Sequence, residues 1–190
     1  MDKSLFYRIK NTRWANFISF AVWDDNNIDN LFVIEKNVND LNQNIVIVGL
    51  NINGGVKKLQ NFHLKHPGGR DSWLRNAFNK GCFRGAYMTD IIKNSKSSRQ
   101  LAVDLSKENI DKNLLIFREE MFFINSKDTF IIAIGDITYD ILKRGFVEDN
   151  KNIYFIPHYA QWGITKKYFL SSVKKCETFF KATRSVTDRL

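Results

Sequence analysis

The 190 residues contain only two cysteines, two prolines and ten glycines. Cys82 and Cys176 cannot build a disulfide framework and lack C-x-x-C spacing. They are also too few to hold an iron–sulfur cluster. They read as two free thiols in a reducing compartment. The scarcity of Pro and Gly excludes collagen-like and low-complexity classes. No apolar run approaches the roughly 18 residues that a membrane-spanning helix needs. Met1-Asp2-Lys3-Ser4 leads into no apolar run of signal length. The expectation is a cytoplasmic protein with no membrane partner. Histidine is scarce as well. His63 and His66 stand three apart with no third ligand nearby in sequence, so no metal and no cofactor is expected.

Apolar side chains and positive charge are plentiful. Hydrophobic residues make up 44% of the chain, aromatics 14% and charged residues 26%, a globular composition. A chain of this length suits one domain, residues 1–190, with an N-terminal helical segment of about 1–40 packed on it. Such a domain buries roughly 70% of the surface its unfolded chain exposes, so it needs no staples, and a monomer is expected. The formal net charge is +9 and the sequence pI about 9.5. An excess of this size suits a polyanionic partner. It is also what a Lys- and Asn-rich chain from an AT-rich genome carries with no such partner.

Four short apolar runs read as buried strands: Ile45–Gly49, Gly85–Thr89, Thr129–Ile134 and Asn152–Ile156. Helical patterns alternate with them. Asp71–Lys80 begins with a capping Asp and stops at Gly81. Ser106–Ser126 spaces Ile110, Leu114, Phe117, Met121 and Ile124 by three and four residues. Asp136–Arg144 starts on a capping Asp136, and Thr165–Lys181 carries Tyr168, Phe169, Val173, Cys176 and Phe180 on one side. A further helix is expected over Thr12–Trp23. Alternating strands and helices predict an α/β fold, a three-layer α/β/α sandwich with a four-stranded, mainly parallel sheet.

In an open parallel sheet, ligands bind beyond the carboxyl ends of the strands. The residues that follow the four runs are therefore the candidate site. They are Leu50-Asn51-Ile52-Asn53-Gly54-Gly55, then Asp90, then Gly135-Asp136, then Pro157-His158. Each of these polar groups has an ordinary alternative as a turn or cap residue. The first loop is Gly-rich but is neither a Walker A motif nor G-x-G-x-x-G. No G-x-S-x-G is present, so a serine-hydrolase elbow is unsupported.

In this order and spacing the strand ends resemble the uracil-DNA glycosylase superfamily. Gly49-Leu50-Asn51-Ile52-Asn53-Gly54 is similar to the Gly-x-Asn-Pro-Gly loop of the mismatch-specific branch. Ile156-Pro157-His158-Tyr159-Ala160 is similar to the last motif, a strand followed by His-Pro-Ser. Thr89-Asp90-Ile91-Ile92-Lys93 lines up with a strand whose Asn reads the base, in a context like Thr-Asn-x-x-Lys. Ile132–Asp136 resembles the third strand and its turn. The strings Asn61-Phe62-His63 and Gly85–Lys93 resemble a divergent bacterial branch of glycosylase-like proteins. The resemblance covers roughly Ile45 to Phe169.

It implies DNA repair by hydrolysis of an N-glycosidic bond on a base flipped from DNA. His158 would donate to the carbonyl oxygen of the departing base, where negative charge develops. Asn51 would orient the attacking water. Gly49, Leu50, Asp90 and Phe62 would form the base pocket, with Phe62 stacking on the ring. Trp162 or Gln161 would enter the DNA stack. Lys57, Lys58, Lys65, Arg70 and Lys93 would contact phosphates.

The sequence departs from the family at three points. Ile52 replaces the Pro after Asn51, and Tyr159-Ala160 replaces Pro-Ser after His158. Asp90 stands where the family has Asn. An ionised carboxylate only accepts hydrogen bonds, whereas uracil shows an acceptor, O4, beside its N3–H donor. Purine lesions with an N1–H donor, such as hypoxanthine or xanthine, suit an acceptor better. Two rival functions stay open on the sequence. One is a catalytically silent member of the same fold that binds DNA or protein. The other is a small-molecule nucleoside or nucleotide hydrolase.

Overall fold

The computed structural model describes residues 1–24, 32–51, 59, 69–94, 103–124, 129–146 and 152–187, with the side chains of 185–187 excepted. It is an α/β fold built on a five-stranded sheet with strand order β1-β3-β2-β4-β5. The strands are β1 (Ile18–Phe20), β2 (Asn42–Asn51), β3 (Ala86–Ile92), β4 (Phe130–Ile134) and β5 (Ile153–Ile156). The pairs β2–β3, β2–β4 and β4–β5 are parallel. β1 lies antiparallel on the outer edge of β3.

Two expectations need correction here. The sheet has five strands, and Thr12–Trp23 is not a helix. Arg13–Asn16 forms one 3-10 turn and Ile18–Phe20 is strand β1. The segment from Ile18 to Trp23 is buried at every position, on both of its faces. A run buried on both faces, with Ser19 its one polar residue, carries no helical periodicity to contradict a strand, and pairing with β3 satisfies its backbone. The N-terminal helix lies earlier, at α1 (Lys3–Lys10), where Asp2 caps it by accepting from the Ser4 N–H at 3.1 Å. A short α2 (Val33–Lys36) follows β1.

The remaining helices are α3 (Asp71–Phe78), α4 (Lys107–Phe123), α5 (Asp136–Gly145) and α6 (Lys166–Thr187). Ser106 caps α4, accepting from the Asn109 N–H at 3.4 Å. Asp71 and Asp136 are not caps. They are the first helical residues after Arg70 and Gly135. A carboxylate there still favours the helix, because it faces the positive end of the dipole.

Side-chain alternation divides the core between the two faces of the sheet. Val46, Val48, Tyr87, Ile91, Ile131 and Ala133 pack with residues of α1, α4 and α5. Ile45, Ile47, Ala86, Met88, Phe130, Ile132 and Ile134 pack with residues of α3 and α6. The result is three layers, helix on sheet on helix.

The connections fix where a ligand can sit. From β2 the chain crosses to β3 on one side. From β3 it returns past β2 to β4, and then continues outward to β5. The reversal falls between the neighbours β2 and β4. In open α/β sheets ligands bind beyond the carboxyl ends of the strands at such a reversal.

Candidate functional site

Register shows what reaches that edge. Val48 is level with Thr89 of β3 and Ala133 of β4, and Ala133 is level with Phe155 of β5. One residue further along each strand come Gly49, Asp90, Ile134 and Ile156. Next past Ile134 and Ile156 come Gly135-Asp136 and Pro157-His158. Asn51, Asp90, Asp136 and His158 therefore all belong to the carboxyl edge. Asn51 and His158 rise from strands separated by β4, so two strand spacings, about 10 Å, lie between their strands.

Parity places the β2 and β3 residues on one face. Gly49 and Asn51 alternate in phase with Ile45 and Ile47, and Asp90 with Ala86 and Met88, all on the α3/α6 side. Gly49 is needed where it stands, because a Cβ on it would overlap Oδ1 of Asp90. The glycine lets the carboxylate lie against the β2 backbone. Asn51, Asp90, Leu50 and Gly49 are half-buried, and Leu50 packs against the core on the α4 side.

His158 is half-buried on a built loop. Pro157 beneath it is buried. The Gln161 N–H donates to the His158 carbonyl at 3.0 Å and the Ile164 N–H to the Gln161 carbonyl at 3.2 Å. The Ala160 N–H donates to Nδ1 of His158 at 3.1 Å. Nδ1 therefore accepts, and the neutral ring carries its proton on Nε2. A Cβ on Gly135 would meet the His158 Cβ at 3.3 Å, so the β4 turn passes close under the histidine.

Residues outside the expected set complete this loop. The Tyr159 ring stacks on the His158 ring, with centroids 4.6 Å apart and planes at 21°. The buried Tyr159 hydroxyl donates to Oδ1 of Asp71 at 3.0 Å. Burial first, and then the charges of Asp71 and Asp90, raise the Tyr159 hydroxyl far above its ordinary range, so it stays a neutral donor. The influence of Asp90 on Tyr159 ties the end of β3 to the loop after β5. Neither Asp71 nor Tyr159 had a signal in the sequence. Asp71 read as a helix cap, and Tyr159 as a departure from His-Pro-Ser.

Two of the expected phosphate contacts are corrected. Nη1 of Arg70 donates to the carbonyls of Ile164 at 2.9 Å, Gln161 at 3.3 Å and Tyr159 at 3.4 Å. Its guanidinium lies 4.9 Å from the Trp73 ring centre. Arg70 therefore holds the His158 loop. Lys93 has left the site altogether. Three residues beyond Asp90, it points to the opposite face of the sheet. There its side chain is 3% exposed and its Nζ lies 2.6 Å from Oε2 of a fully buried Glu120. Nζ also bonds the Thr89 hydroxyl.

Trp162 is 95% exposed at the tip of the loop after His158. Lys166 and Lys167 follow it, exposed, at the start of α6. Phe62, Lys57, Lys58 and Lys65 lie outside the described residues, as does Ile52. Among the described residues no group of three or more His, Cys, Asp or Glu is gathered as a metal site. No described helix is long and apolar enough to cross a membrane. Comparison with protein-family models, curated proteins and solved structures finds no match to this chain.

Proposed function

We propose that the chain is a DNA glycosylase-like hydrolase that acts on a flipped, deaminated base. The observation that carries this reading is the shared carboxyl edge. Asn51 ends β2, Asp90 stands near the end of the neighbouring β3 and His158 follows β5, all toward the carboxyl edge of the parallel strands, and the Ala160 N–H on Nδ1 sets His158 as the Nε2–H tautomer. A neutral imidazole donor suits a leaving base whose carbonyl oxygen gains charge as the bond breaks. Asn51 orients water by hydrogen bonding, since an amide is too weak a base to deprotonate it. Asp90 accepts from a ring N–H, a donor that uracil offers at N3 and hypoxanthine and xanthine at N1, each beside a carbonyl oxygen, so the carboxylate does not by itself choose among the three. Trp162 is the wedge, and Lys166 and Lys167 take the phosphate role that Arg70 and Lys93 do not fill.

The test is incubation of purified protein with duplexes containing uracil, hypoxanthine or xanthine, followed by alkaline cleavage at abasic sites. Excision is expected from at least one duplex. His158→Ala should lower the single-turnover rate by about 10² to 10³ while duplex affinity changes far less, because the donor acts on charge present only in the transition state. A second reading has its own support. Tyr159 and Ala160 stand where the family carries Pro-Ser, and the Arg70 and Lys93 cations are engaged within the fold. That favours a catalytically silent binder of DNA or protein. Failure to excise any of the three bases, together with retained duplex binding, would establish it.

A further inference from the structure

We propose that Asp71 and Tyr159 are a positioning pair for His158, holding its imidazole as a fixed Nε2–H donor. The proposal rests on the reading above only for what that donor does to a substrate. Its structural part stands on four interactions. The Tyr159 ring lies against the His158 imidazole at 4.6 Å. On another side the same ring meets Phe169 of α6 edge-on at 6.0 Å and 69°, so it cannot slide away from the histidine. Its hydroxyl is tied to Asp71 at the first turn of α3, where the positive end of the helix dipole favours a carboxylate acceptor. Arg70, the residue before Asp71, grips the carbonyls on both sides of Trp162.

Two consecutive residues at the start of α3 therefore hold the loop by its backbone and by the one side chain that stacks on His158. With the loop so fixed, the Ala160 N–H stays on Nδ1 and the ring cannot exchange its proton between nitrogens. A Pro-Ser pair in these positions would supply neither the stacking ring nor the hydroxyl anchor.

The experiment uses the full chain labelled with ¹⁵N. Two-bond ¹⁵N–¹H spectra at neutral pH report the tautomer of each histidine, and His158→Ala assigns the signal. Wild type should show His158 as a single Nε2–H tautomer. Tyr159→Phe and Asp71→Ala should give averaged tautomers, while Asp71→Asn, whose amide oxygen still accepts from the hydroxyl, should stay close to wild type. If excision is detected, the first two variants should lose about 10- to 100-fold in rate through misplacement of the donor, with little change in duplex affinity. A wild-type Nδ1–H tautomer, or an unaltered tautomer in folded Tyr159→Phe, overturns the proposal. Should Asp71→Ala fail to fold, Tyr159→Phe decides. Absence of excision from every protein would count against the glycosylase reading alone, since the tautomer is read without substrate.

Discussion

Gly85 shows how much one residue can determine. Its φ is 79°, and a Cβ there would fall on the backbone carbonyl of Asp40. Its N–H donates to Ala21 and its carbonyl accepts from Asn42, so it joins the segment after β1 to the starts of β2 and β3. Gly163 has a similar φ of 80° but open space around it. Gly163→Ala should cost about 1 kcal/mol, the left-handed penalty alone. Gly85→Ala adds a backbone collision and should cost at least ~3 kcal/mol. Urea unfolding of the two variants checks the order. Asp90 is the residue on which base recognition turns. If its carboxylate reads the base, Asp90→Asn supplies a donor to the carbonyl oxygen beside the ring N–H. Excision of uracil should then rise about 5- to 150-fold, the equivalent of roughly 1–3 kcal/mol for a bidentate base contact, and excision of hypoxanthine, whose O6 stands beside N1–H in the same way, should rise with it. Single-turnover rates on both duplexes measure it, and unchanged rates remove Asp90 from the base pocket.

At the scale of elements, the packing of α4 on β3 is organised by polar groups. Glu120 of α4 is fully buried. Its Oε1 accepts from the Tyr87 hydroxyl at 2.7 Å and the Thr89 hydroxyl at 2.8 Å, and its Oε2 faces Lys93. Just beyond the strand, the Lys93 N–H donates to Oδ1 of Asn113 at 2.7 Å. Removing one partner of a buried ion pair leaves the other charge uncompensated. Lys93→Met should therefore cost about 3–5 kcal/mol, and Lys93→Met with Glu120→Gln clearly less. Urea unfolding of both variants decides this. The same variants separate structure from binding. Duplex affinity should be unaffected by the folded double variant, whereas Lys166→Ala with Lys167→Ala should weaken it. For every phosphate that the variant no longer neutralises, the log–log salt slope should fall by about 0.9. A salt slope unmoved by the α6 pair would remove that helix start from the interface.

Over the whole molecule, burial of ionisable groups limits stability on the alkaline side. The half-buried Cys82 thiol is pushed up to about 11, by burial first and by the Glu177 carboxylate next. Cys176, on the buried face of α6, is raised further, again by burial first. The hydroxyl of Tyr87 is raised by burial and by Glu120. For each of these groups the folded value lies above the unfolded one. Their stabilisation is complete below the unfolded value, 9.0 for a thiol, and is lost as pH rises toward the folded value. Between those limits the unfolded chain releases protons that the folded chain keeps. Stability should be flat across neutral pH and fall from about pH 9 upward. Urea midpoints at a series of alkaline pH values test this, and Cys82→Ser should flatten the decline.

Composition and local pattern determined the α/β class, because each inner strand is a short apolar run and each long helix carries a capping or periodic signature of its own. They placed His158 just past a strand, since β5 ends at Ile156, but not the ends of the two longer strands: Asn51 is the last residue of β2 and Asp90 lies inside β3, which pairs on to Ile92. Lys93 was misread as a phosphate contact, because its pairing with Glu120 on the opposite face joins residues distant in sequence. Strand β1 was not legible, because a run buried on both faces has the same sequence whether it is helix or strand, and only the exposed edge of β3 decided it. Nor was the support of His158. Asp71 and Tyr159 are 88 residues apart, and nothing local marks either as the partner of the other. Their meeting depends on α3 and the β5 loop packing on the same face of the sheet, a long-range contact made only when the chain folds.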